Sequence, residues 1–195
     1  MIRGALARPT ALGIRALDYK ILSHPGHDGG VRKGGAQLLG VGRSFFQHGL
    51  LLLDHEGSGA HVGAVELEAQ LDGQLSARWG DAAKAIVIDP EVDAWMWGAE
   101  PHLRSLLDWT FQEGIREWLV GEAFGFTDAG KPTRPKEAFE AACRRARMPR
   151  SSEQYRYVAE RISLQRCEDP AFQRLRAAIV GWFATPDIGG TAGAA

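Results

Sequence analysis

Four acidic side chains, in two similar settings, carry the chemistry that this 195-residue chain offers. Asp54 and Glu56 follow the apolar run Leu50 to Leu53, and Asp89 and Glu91 follow Ala85 to Ile88. Carboxylates brought together raise one another's pKa unless a cation or hydrogen bonds compensate. A hard divalent ion, Mg2+ or Mn2+, held by one or two carboxylates and several waters is the natural compensation. Bound there, it would polarise a phosphodiester and stabilise the leaving oxygen. The four acids are therefore candidate metal ligands, with Asp54 and Glu56 the candidate catalytic pair. The alternative reading is structural: Asp54 opens an Asx-turn and caps the next helix while Glu56 faces solvent.

The two apolar runs must position these acids. Leu50 to Leu53 is apolar without alternation, as in a parallel strand covered on both faces. Between the runs, residues 61–79 have helical spacing. Ala64, Leu67, Leu71 and Leu75 form one stripe, with Glu66, Glu68, Gln70 and Gln74 mostly off it. Strand, helix, strand predicts parallel strands with both acidic ends at one edge.

The turn Asp54-His55-Glu56-Gly57 resembles the D-x-D turn of the topoisomerase/primase (Toprim) domain, here as D-x-E. Residues 88–97, IDPEVDAWMW, resemble a signature of a bacterial group of small Toprim-like proteins. Further matches in order are Lys131-Pro132, Pro135 to Ala138, Pro149 to Ser152 and Ile162 to Phe172, so that the resemblance covers about residues 8–183. It implies an α/β, Rossmann-like fold with a mostly parallel Toprim-type sheet flanked by helices, and a helical C-terminal region. It also implies Mg-dependent nicking or processing of nucleic acid within anti-phage defence, including the methylation-associated defence system, with other defence proteins as partners. The glutamate that ends the first Toprim strand has no counterpart here. Either that strand lies upstream or the chain is a non-catalytic subunit that docks onto a larger defence complex.

The expected division is a Toprim-like core over 1–98, a helical extension over 99–184 and a mobile tail over 185–195. Charge is distributed unevenly along it. Residues 50–130 hold 15 acids against 4 Lys or Arg, whereas residues 131–183 hold 12 Lys or Arg against 6 acids. An acidic centre beside a basic region suits an enzyme acting on a phosphodiester backbone. Lys131, Arg134, Lys136, Arg144 and Arg145 are the candidate backbone contacts. Solvated helix faces, or a face for a partner protein, explain the same pattern.

No apolar run reaches the roughly 20 residues that span a bilayer, and the N-terminus lacks a signal-peptide core, so no membrane partner is expected. Two cysteines, Cys143 and Cys167, make neither a disulfide framework nor metal-site spacing, which points to a reducing cytoplasm. The glycine-rich loop from Ser23 to Gly30 can place Asp28, His24 and His27 near the same edge, but the three lack further ligands at zinc-site spacing. His55 and His61 flank the acidic turn, within reach of a phosphate or bound water, or face solvent.

Ala16 to Leu22 reads as a strand, and Val31 to Gln47 as a glycine-burdened helix running through Leu38, Val41 and Phe45. Trp95, Trp97, Trp109, Phe111 and Trp118 stack on bases or, more in keeping with helical spacing, pack the interior. Ser151 with Gln154 matches a capping box, and Asp169-Pro170 starts a last helix whose Phe172, Leu175, Ile179 and Trp182 face the core.

Overall fold

The computed structural model describes residues 1–98 and 100–185, in which helices flank a two-stranded parallel sheet. Strand β1 is Gly49–Asp54 and β2 is Ala83–Ile88, paired from Gly49 opposite Ala83 to Asp54 opposite Ile88. The helices are α1 (Ile2–Leu6), α2 (Pro9–Leu12), α3 (His27–Val41), α4 (Ala64–Trp79), α5 (Glu100–Leu106), α6 (Ile115–Gly121), α7 (Pro135–Arg145), α8 (Ser152–Ala159) and α9 (Pro170–Phe183). The predicted tail lies, apart from Thr185, outside the described residues.

Burial follows the two-unit period of the strands. Leu51, Leu53, Ala85 and Val87 turn to one face, where they meet Leu67, Leu71, Leu75 and Trp79 of α4. Ile86 and Ile88 turn to the other, joining Trp95, Phe139, Phe172 and Ile179 in a larger core. Helix α4 thus buries the predicted stripe and connects parallel strands, as the spacing required. The Asp169 carboxylate accepts from the Ala171 and Phe172 amides at 3.1 and 3.2 Å, so α9 starts at the predicted cap. In the capping box, Gln154 Oε1 accepts from the Ser151 amide at 2.8 Å.

Three expectations are corrected. Ala16 to Leu22 has no regular structure. The residues just before it are already tied to the end of α9, through a bridge between Ile14 and Ala184 and an Arg15 amide bond to the Phe183 carbonyl at 3.0 Å. Helix α3 runs only from His27 to Val41; Leu38 is 40% exposed at the rim of a cavity beside β1, and Val41 and, past the helix, Phe45 point outward, Phe45 being 81% exposed. Its inward face is set by Gly35, where a Cβ would come within 2.6 Å of Leu51. Close approach to the strand selects the side without a side chain. Glu68, expected at the surface, is buried.

The reason for Glu68 lies at the sheet edge. A two-stranded sheet leaves one row of amides and carbonyls unpaired on each side. On β2, side chains close that row: Asp72 accepts from the Ala85 amide at 2.7 Å and Glu68 from the Val87 amide at 2.8 Å, while Arg174 donates to the Val87 carbonyl at 3.2 Å.

Candidate functional site

The carboxyl ends of the strands hold the acids. The His55 amide donates to the Ile88 carbonyl and the Glu56 amide to that of Pro90, which fixes the turn after β1 against the loop after β2. Asp54 Oδ1 accepts from the Val92 amide at 2.9 Å. Glu91 Oε1 accepts from the Lys136 amide at 2.9 Å, linking the acidic loop to the first turn of α7.

Burial pushes the Asp54 carboxyl up to about 7, assisted by the charge of Asp28 and opposed by the Val92 amide. Glu91 rises to about 7 by burial, opposed by the Lys136 amide and assisted by Asp93, Glu56 and Glu137. Of the four acids picked from the sequence, Asp54, Glu56 and Glu91 therefore belong to one electrostatic cluster. Asp89 stands apart: its side chain is 66% exposed and its nearest basic neighbour is His55 Nδ1 at 3.8 Å.

Two further members were not singled out as ligands of this edge. Asp28, in the first turn of α3, accepts the Asp54 amide at 2.9 Å. Asp93 is buried, accepting from Tyr155 Oη at 2.6 Å and Arg150 Nη2 at 3.2 Å. Burial and the Asp93 contact push the Tyr155 phenol far above its usual range. The signal for Asp93 was its place two residues beyond Glu91; Asp28 was legible as part of the glycine-rich loop expected near this edge.

Among the described residues, no three His, Cys, Asp or Glu side chains are grouped as metal ligands. The donor chemistry still suits one magnesium-like ion, because Asp28, Asp54 and Glu91 each spend one carboxylate oxygen on a backbone amide and keep the other outside those bonds. An ion held by one or two carboxylates and completed by water needs no larger set.

The candidate backbone-binding cations divide. Lys131 is held by Asp169 at 2.8 Å, and Arg145 reaches Glu113 at 3.4 Å while lying over Phe111. Arg134 lies over Phe124. Lys136 and Arg144 are exposed and make no ion pair among the described residues. The tryptophans pack rather than present faces: Trp95 meets Phe172 edge-on at 5.2 Å, Trp97 donates to the Pro135 carbonyl and Trp109 to that of Glu113. His24 Nδ1 is bonded to the Gly26 amide at 3.0 Å. His55 Nε2 lies 2.9 Å from the Val62 carbonyl, and His61 is exposed. Both cysteines are free thiols, with Cys143 pushed up to about 11 by burial, as expected of inert ones.

No protein-family model, no curated protein and no solved structure matches the chain. No helix among the described residues is long and apolar enough to cross a membrane.

Proposed function

We propose that this chain is a Toprim-like protein of bacterial anti-phage defence whose acidic edge binds Mg2+ or Mn2+ and nicks or processes a phosphodiester backbone. The observation that carries this reading is that Asp54 and Glu91, just beyond the ends of parallel strands, are both raised to about 7, chiefly by burial and further by neighbouring acids, with Glu91 among those that raise Asp54. Such a pair gains from a cation. Asp54 and Glu91 would hold it through their remaining oxygens, with Glu56 beside them. When bound, the ion neutralises charge and polarises a phosphoryl oxygen. Glu56, exposed at the turn, would take the proton from an attacking water. Lys136 and Arg144 are the cations free for backbone phosphates, whereas Lys131 and Arg145 would first release Asp169 and Glu113.

Titration calorimetry with Mn2+ tests the site. Wild type binds, and the Asp54→Asn/Glu56→Gln double variant loses at least tenfold in affinity. Nicking of supercoiled plasmid in Mn2+ disappears in Asp54→Ala; undiminished nicking would end the proposal.

One observation favours a second reading, that of a non-catalytic subunit docked on a larger nuclease, methyltransferase or ATPase assembly. Asp54 and Glu91 are bonded to backbone amides and Asp93 to Arg150 and Tyr155, so these acids already serve the fold. This reading predicts no ion binding by calorimetry, together with stable co-purification with the products of neighbouring genes.

A further inference from the structure

The two edges of the sheet are treated differently. On β2 the outward row is closed by Asp72, Glu68 and Arg174. On β1 the His55 amide, just past the strand, turns toward β2, while the Asp54 amide turns away to Asp28. By the two-residue alternation of a strand, Leu50 and Leu52 therefore aim their amides and carbonyls away from β2. Neither makes a side-chain or loop hydrogen bond among the described residues.

This open row does not face bulk water. It borders a cavity of about 350 Å³. Val31 and Leu38 of α3 line one side, Ile179 and Trp182 of α9 the other, and Leu17 and Ile21 the outer wall. The space therefore reaches both faces of the sheet, as the side chains of an added strand would. A compact apolar molecule could fill it but could not satisfy donors and acceptors repeated along a strand. An extended peptide does both.

The far end of the row is acidic. Asp28 caps it, with Asp54 beside it and neither in an ion pair among the described residues. A strand running along Leu50 and Leu52 ends against these carboxylates, where a basic residue complements them. Residues 17–22 line the same cavity, so two β1 edges could pair only by bringing both copies' segments 17–22 together, a demand that a single extended peptide does not make.

From this we infer that the open edge of β1 is a strand-acceptor slot. Its occupant is an extended segment of a different protein, about four residues long, apolar at alternate positions and carrying a Lys or Arg where it meets Asp28 and Asp54. The inference does not rest on ion binding, although a basic residue set against Asp54 competes with an ion held there, and it gives the docked-subunit reading a physical attachment point.

The test pans a phage-displayed random heptapeptide library against the immobilised full-length chain, with enriched sequences made synthetically. Enriched peptides should alternate apolar residues and carry a basic residue at one end. In hydrogen exchange followed by NMR, the Leu50 and Leu52 amides of the free protein should exchange at least tenfold faster than those of Leu51 and Leu53, and become protected on peptide addition. Leu50→Pro removes one outward amide without touching the β2 ladder. It should weaken the peptide at least tenfold while Mn2+ binding stays unchanged. Should that variant fold poorly, N-methylation of alternate peptide amides asks the same question of wild-type protein: one alternate set abolishes binding and the other leaves it within twofold. Replacing the basic residue by Glu should also cost at least tenfold. The inference is overturned if nothing is enriched, if peptides bind without protecting Leu50 and Leu52, if N-methylation has no effect, or if those amides are already protected in the free chain.

Discussion

Asp54 ties the stability of the fold to pH through one half-buried carboxyl. Its folded pKa is about 7, against about 3.8 when unfolded. Between those values the folded state binds more protons than the unfolded one, so stability falls as pH rises through that window and levels off above it. One such group contributes a slope of at most about 1.4 kcal/mol per pH unit. Asp54→Asn cannot titrate. Measured by urea unfolding in EDTA, the variant should gain on wild type from pH 5 to about pH 7 and hold that gain to pH 8, and a constant difference across the whole range would remove Asp54 as the titrating group. If the acidic edge holds an ion, Mn2+ should recover the wild type at pH 8 and leave Asp54→Asn unmoved. The strand-end acids Asp54 and Glu91 were legible because an apolar run that stops at a carboxylate names its own exit. Asp89 shows the limit of that signal, since a residue at a strand end can still turn outward. Asp28 meets the Asp54 amide from 26 residues away and Asp93 is held by Tyr155 from 62 residues away. The glycine-rich loop and the place near Glu91 hint at the two acids, but no local pattern records those contacts.

At the scale of elements, α4 was legible in its apolar stripe and not in its polar positions. Glu68 and Asp72 look like solvated helix residues, yet they finish a sheet edge. Their role follows only once the sheet is known to stop at two strands, and strand count is a long-range property. Helix α3 failed in the opposite sense: its outward apolar residues mimic a core stripe, while Gly35, the residue of close approach to Leu51, carries no hydropathy signal. The edge closure makes a strong prediction. Glu68 accepts from Arg174 Nε at 2.8 Å as well as from the Val87 amide. Glu68→Ala leaves the Val87 amide unpaired and takes the carboxylate from Arg174, which keeps only its bond to the Val87 carbonyl, and should cost about 2–3 kcal/mol in urea unfolding. Glu153→Ala breaks a pair of similar length with Arg156, but one whose side chains are 72% and 58% exposed, and should cost under about 1 kcal/mol. Equal losses in the two variants would refute the edge-closing role of Glu68.

For the whole molecule, one buried cluster runs across the boundary expected near residue 98. Ala5, Leu12 and Ile14 from the N-terminal segment, Ile86 and Ile88 from the sheet, and Phe139, Phe172 and Ile179 from the later helices share one buried cluster. Arg8 adds to this by donating to the carbonyls of Ala159 and Ile162, 151 and 154 residues away. Charge asymmetry and composition divide the chain at about residue 130, but apolar contacts decide what unfolds together, and these run across both divisions. A helical part that merely leaned on an independent α/β core would unfold separately. The shared cluster instead predicts one cooperative transition, with tryptophan fluorescence and far-ultraviolet circular dichroism giving coincident urea curves. Phe172, buried and edge-on to Trp95, is the residue with which to test it. Phe172→Ala opens a cavity between α9 and the loop after β2, and should lower stability by about 3–5 kcal/mol. Both probes should shift together. If the fluorescence curve moved while a substantial part of the dichroism curve stayed at the wild-type midpoint, the sheet and the later helices would be separate folding units, and the boundary near residue 98 would be a thermodynamic one after all.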